Sequence, residues 1–212
     1  LNIDSTKKLI DDLLVKNCKI CFMSSVEVFD GSDDKIIENS IPNPLNLYGN
    51  TKLQIENYLK KNSNNYQIIR TGWNVGFDKS SRCVVTMTYQ TLLKPDAKMA
   101  SDNTFTVTHV DDLANTISKY IFTDFKVIHL SSSEVISRTQ LADLVIQHSI
   151  NGKNMNYKTT IFSKIPYSEK RSKNNNIDSE ILNSSDKEKF RNAELTIIEK
   201  IKFLDQNFNL ND

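Results

Sequence analysis

Residues 45–56 read LNLYGNTKLQIE, and what lies on either side of them decides the fold. Leu47, Leu53, Ile55 and Leu59 recur at helical spacing, which predicts a helix over 46–62. Immediately upstream, GSDDKIIENSIPNPLN (31–46) gathers Gly, Asp, Asn and two prolines, the composition of a loop. Before that loop, CKICFMSSV (18–26) is a short apolar run, as in a strand buried on both faces. Beyond the helix, YQIIRTGWNVG (66–76) is a second such run, turning at Gly76. Strand, long loop, helix, strand is the rhythm of a parallel α/β sheet.

The same reading extends outward. STKKLIDDLLVKN (5–17) spaces Leu9, Ile10, Leu13 and Leu14 as a helix, with Asp4 or Ser5 as its cap. Further helices are predicted over 82–93, 111–122, 137–150 and 186–207, and strands over 103–110 and 126–131. Segments 18–26, 66–73 and 126–131 should be parallel strands of one sheet, flanked by helices 46–62 and 111–122. The polar stretch YSEKRSKNNNIDSE (167–180) reads as a solvated loop.

With 212 residues, 38% hydrophobic and 25% charged, the chain has the balance of a soluble globular protein. A net charge of +1 gives no mark of a nucleic-acid or membrane partner. No apolar run is long enough to span a bilayer, and the first residues lack the pattern of a signal peptide. Three cysteines argue against a disulfide framework and fit a reducing, cytoplasmic setting. Cys18 and Cys21 form one CxxC in a strand-like run, with no second pair and only scattered histidines. They read as core residues rather than a metal site. His109 and His129, in predicted strands, read as structural.

Tyr48 and Lys52 are four residues apart on a helix, so they share a face. A phenol with its ordinary pKa near 10 is a poor base, but a neighbouring ammonium favours the phenolate and lowers that value. A phenol so tuned can pass a proton to a carbonyl oxygen. Ser25, at a strand end, could hold that oxygen. Taken alone, a Tyr-x-x-x-Lys pair is equally the solvated face of a helix.

Taken together, MSSVEVFDG, PNPLNLYGNTKLQIE and YQIIRTGWNVG resemble the extended short-chain dehydrogenase/reductase family, within the NAD-dependent epimerase/dehydratase superfamily. More narrowly, they are similar to its dTDP-4-dehydrorhamnose reductase branch. The matching positions include Ser24, Ser25, Phe29, Asp30, Gly31, Pro44, Tyr48, Gly49, Lys52, Glu56, Arg70, Thr71, Trp73 and Gly76. SDNTFTVTHVDDLA and VIHLSSSEVISRTQLA continue the likeness, which covers residues 1 to about 150. Val26 and Glu27 stand where the branch has Asp and Tyr, and Val107 where it has Pro.

The resemblance implies a partial Rossmann-like parallel sheet with a small mixed substrate-binding lobe. Residues 1–76 and 106–131 would form the C-terminal part of the NAD(P)-binding domain, and 77–105 with 132–212 the lobe. It implies Ser25 as the positioning alcohol, Tyr48 as proton donor, and Lys52 as the cation that lowers the phenol's pKa and holds the nicotinamide ribose. Ser25, Val26 and Trp73 would contact the substrate. NADPH or NADH would be the cofactor, a nucleotide sugar the substrate, and a homodimer an allowed assembly. Two classes of function stay open: reduction of a 4-keto-6-deoxy sugar nucleotide, with epimerase or dehydratase variants, or a non-catalytic subunit regulating another enzyme. The family's glycine-rich pyrophosphate turn has no counterpart among the five glycines here, so the sequence is expected to be part of a longer product. Calorimetric titration of this chain with NADPH should accordingly show weak or no binding; micromolar affinity would contradict that expectation.

Overall fold

The computed structural model describes residues 2–78 and 82–207, so expectations falling on residues 1, 79–81 and 208–212 lie outside the described residues. Helix α1 (Asn2–Val15) leads into β1 (Ile20–Met23), a 3-10 turn (Val26–Val28), α2 (Leu47–Asn62), β2 (Tyr66–Arg70) and β3 (Trp73–Val75). Next come α3 (Val84–Leu92), β4 (Lys98–Ala100), β5 (Thr104–His109), α4 (Val110–Tyr120), β6 (Val127–His129), β7 (Val135–Ser137) and α5 (Arg138–His148). The remainder carries β8 (Lys158–Thr160), β9 (Asn174–Asn175), α6 (Ser184–Lys187) and α7 (Ala193–Asn207). No helix among the described residues is long and apolar enough to cross a membrane.

As the apolar runs predict, β1, β2 and β6 form one parallel sheet in the order β1-β2-β6. Ile20, Ile55, Leu59 and Ile68 pack with Ile10 of α1 on one side of it. Ile69, Leu113, Tyr120 and Ile128 pack on the other, beneath α4. A second sheet is built on β5, which pairs in parallel with β3 and β9 and antiparallel with β7. The alternation of β5 sends Phe105 and Val107 into a core shared with α3, α5 and α7. Its other face is also buried, and there Thr106 and Thr108 each lie 2.9 Å from the Ser131 hydroxyl. A buried face of threonines is thus satisfied by its own hydroxyls.

Sequence chemistry places the helix starts. Asn46 caps α2, its side chain accepting from the Gly49 amide at 2.8 Å. Ser137 and Gln140 form a full capping box on α5. Two expectations need correction. Cys18, ahead of β1, is only half-buried rather than a core residue, whereas the half-buried Cys21 packs against the core beneath α4. Residues 167–171 are exposed as expected, but the solvated loop does not extend through 180: Ser172, Asn175, Ile177 and Ser179 are buried, and β9 lies within the stretch. Polar composition concealed this, since Ser172 and Asn175 are buried with hydrogen bonds to backbone or neighbouring polar groups.

Glu56 on α2 and Arg70 on β2 form a fully buried ion pair, with contacts of 3.0 and 2.7 Å. Ser24 donates to the same carboxylate at 2.6 Å. The Arg70 guanidinium also lies over the Phe29 ring and faces His129 Nε2 at 3.5 Å. His129 Nδ1 then donates to the Asp178 carbonyl at 3.0 Å. Glu56→Ala would strand a buried guanidinium and should lower stability by about 3–5 kcal/mol, read from the urea midpoint. Burial presses the His129 pKa down from 6.5 to about 4. The unfolded chain therefore takes up this proton first, and stability should fall as pH drops from 6.5 towards 4. Urea midpoints across that window check the sign, and His129→Gln should flatten the dependence.

Candidate active site

Three side chains meet beyond the carboxyl end of β1. The chain continues alongside β2 after Met23, with the Ser24 amide donating to the Ile69 carbonyl and the Val26 amide to the Thr71 carbonyl. This fixes Ser25 in extended backbone before the 3-10 turn, where its Oγ accepts from the Glu27 amide at 3.2 Å. The turn packs tightly on the start of α2. A Cβ on Gly49 would stand 1.9 Å from the Glu27 carbonyl oxygen, so only glycine allows the approach. The neighbouring Tyr48, 54% exposed, is thereby brought near Ser25, whose side chain acts on the phenol's pKa.

Lys52 lies one turn further along α2. Its Nζ donates to the Met23 carbonyl at 2.9 Å and sits over the Tyr48 and Phe22 rings, 5.7 and 5.1 Å from their centroids. The structure therefore gathers Ser25, Tyr48 and Lys52 as the sequence predicts, but the predicted tuning is corrected. The Tyr48 pKa is raised rather than lowered: burial is the main cause, the Ser25 hydrogen bond opposes it, and the Glu27 carboxylate adds to it. Burial also lowers the Lys52 pKa. The ammonium faces a carbonyl and a ring rather than the phenolic oxygen. A phenol so placed stays protonated at neutral pH, the state a proton donor needs.

Ser25 and Tyr48 line a cleft of about 620 Å³. Trp73 forms part of its wall, stacked on Phe105 with centroids 5.3 Å apart. Val26 borders the cleft, but its side chain is 1% exposed and packs with Val28, Phe29, Ile36 and Ile177. Sequence reasoning missed the cations of the wall: Arg82, Lys98, Arg138 and Arg171. Arg138, the first residue of α5, lies over Trp73 and Phe105 at 5.2 and 4.9 Å and donates to Thr88 and Asn103. Burial lowers its pKa to about 10, which leaves it charged at neutral pH. Among the described residues no carboxylate pairs with Arg82, Arg138 or Arg171. Arg171 was hidden in the polar stretch and Arg138 behind an ordinary helix cap; a cation beside a serine cap carries no pattern of its own.

The family model described as the RmlD substrate binding domain matches residues 1–203. The chain belongs to this family. Among curated relatives, it is 37% identical over 70 residues to the methionine adenosyltransferase 2 subunit beta of Bos taurus; that match covers 33% of this chain and 21% of the relative. Among solved structures, it is similar to the dTDP-4-dehydrorhamnose reductase of Yersinia enterocolitica, with TM-score 0.78, 25% identity, and coverage of 95% of this chain and 72% of the other. The dTDP-4-dehydrorhamnose reductase of Bacillus anthracis, solved in complex with NADP, aligns with TM-score 0.75 and 22% identity over 95% of this chain and 72% of its own. The RmlD-type fold agrees with the α/β architecture described above.

The site suits the ribose–nicotinamide end of such a cofactor, because Lys52 and the exposed Tyr48 hydroxyl offer donors at the carboxyl end of a parallel strand. For the pyrophosphate end, the sequence holds no glycine-rich turn. Gly49→Ala should push the 3-10 turn off α2 and separate Ser25 from Tyr48. A melting temperature lowered by several degrees, with a Tyr48 titration moved towards that of a free phenol, would check this contact.

Proposed function

We propose that this RmlD-family chain carries the catalytic and substrate-binding part of an NAD(P)H-dependent reductase of a 4-keto-6-deoxy sugar nucleotide. One observation carries the reading: Ser25 and Tyr48, with Lys52 one turn along α2, stand at a cleft lined by three arginines that have no carboxylate partner among the described residues. Guanidinium groups in that state suit the diphosphate of a sugar nucleotide. The Trp73 face suits a hexose or base.

The chain's own residues then divide the work. Ser25 hydrogen-bonds the substrate carbonyl oxygen. Tyr48 gives its proton to that oxygen as the carbonyl carbon is reduced, and the product is a secondary alcohol. Lys52 holds the ribose hydroxyls. The cofactor, NADPH or NADH, supplies a hydride when bound. We assign residues 1–76 and 106–131 to the cofactor-binding domain and 77–105 with 132–212 to the substrate lobe; β5 spans that boundary and pairs with strands of both. The three free cysteines support a cytoplasmic setting.

A second reading is a non-catalytic subunit that regulates another enzyme. It is favoured by the curated relative, which is named as a subunit of methionine adenosyltransferase, and by Glu27 beside the phenol, which makes proton loss harder. An epimerase or dehydratase on the same scaffold would need the same three residues. Tyr48→Phe in the full-length gene product decides between catalysis and binding. Reduction, followed as NADPH consumption with a dTDP-4-keto-6-deoxy sugar, should fall roughly 10²–10⁴-fold while the fold is kept. Lys52→Met should weaken both turnover and cofactor binding, and Ser25→Ala should be milder. Near-parental turnover in Tyr48→Phe would overturn the reductase reading.

A further inference from the structure

We propose that Glu27 makes the reacting end of the cleft a recognition site for a cationic group, so that the sugar nucleotide bound here carries an amine on the carbon beside the carbonyl. The proposal rests on the sugar-nucleotide reading above and specifies its substrate class.

Glu27 is held rigidly in place. One carboxylate oxygen accepts from Asn46 Nδ2 at 2.7 Å, and Asn46 is itself fixed as the cap of α2. The backbone of Glu27 is pinned from both sides, by its amide bond to Ser25 Oγ and by the close packing of its carbonyl against Gly49. The carboxylate lines the same cleft as Ser25 and Tyr48, and its charge reaches the phenol.

Yet it lacks a countercharge. The cations close to this end are engaged elsewhere: Lys52 with the Met23 carbonyl, and Arg70 with Glu56. Among the described residues no lysine or arginine forms an ion pair with Glu27. Arg138 is in the complementary position: a guanidinium on the same cleft, beside Trp73, with hydroxyl and amide partners but no acid. Glu27 and Arg138 share one cleft, also lined by Arg82, Lys98, Arg171 and Glu169, and form no ion pair with each other. A ligand carrying an anion and a cation would satisfy both, with its diphosphate on the arginine side and its ammonium on Glu27. Because the Glu27 amide donates to Ser25 Oγ and the Glu27 charge reaches Tyr48, the two groups read as meeting the carbonyl oxygen, the ammonium belongs on a carbon beside that carbonyl. A hydroxyl there would accept the hydrogen-bond geometry but leave the carboxylate charge uncompensated.

The test uses the full-length gene product and two dTDP-sugars that differ only in an amino or a hydroxyl group at that carbon. Calorimetry should show the amino sugar bound roughly tenfold or more tighter. Glu27→Gln keeps an acceptor for Asn46 and removes the charge. It should abolish the preference by weakening the amino sugar alone, and leave hydroxyl-sugar affinity nearly unchanged. Equal parental affinities, or a Glu27→Gln loss shared equally by both ligands, would overturn the assignment and make Glu27 a structural brace. Binding of neither sugar would overturn it together with the sugar-nucleotide reading, whereas equal binding of both sinks the Glu27 assignment only.

Discussion

The molecule is organised around one ion pair that solvent does not reach. Glu56 meets Arg70 through two parallel contacts, and both side chains are essentially inaccessible. Burying two full charges is a poor way to gain net stability, because desolvation consumes most of the attraction. What the pair supplies is a fixed relation between elements. Glu56 lies two turns along α2 from Tyr48, and its carboxylate also takes the hydroxyl of Ser24, next to Ser25. One buried carboxylate thus sets the helix that carries the phenol and ammonium against the strand end that carries the alcohol. Through Arg70 the same network runs to His129 and the Asp178 carbonyl, tying this sheet to the segment that carries β9.

That arrangement separates two demands on the sequence. The reacting trio depends on close backbone packing, where Gly49 admits the Glu27 carbonyl and Gly31, at φ 73°, lets the chain pass Ser172 and Asn174. The cleft wall depends on side-chain charge and on aromatic faces, which can change without disturbing that packing. Glu27 belongs to both, since its backbone closes the turn and its side chain faces the ligand space. Replacement at this position is the means by which one scaffold could accept a different substrate while its proton-transfer geometry stays in place.

Much of this was legible in the residues. CKICFM, YQIIR and the run before Leu130 are apolar enough to be buried strands, and the helix between the first two fixes them as parallel. Tyr48 and Lys52 were readable because helical spacing forces them onto one face. Spacing gives proximity, however, and not direction: Lys52 turns to the Met23 carbonyl, and the phenol's pKa follows burial and Glu27 instead. The stretch 167–180 was misread because hydrophobicity marks only one route into a protein interior. Serines and asparagines enter by the other, when backbone groups are there to meet them. Arg138 and Arg171 were invisible for a related reason, since an arginine declares a function only through its missing partner.

The strand β9 joins β5 across about seventy residues, and the Ile36–Ile177 bridge joins segments about one hundred and forty apart. Contacts so distant along the chain form late, because the intervening polymer must be ordered first. A ribosome releasing this protein would therefore expose a folded β1-β2-β6 sheet, with its alcohol, phenol and ammonium in place, well before Arg171 arrives to close the opposite wall. The nascent molecule would place its alcohol, phenol and ammonium before the arginines of the opposite wall are complete.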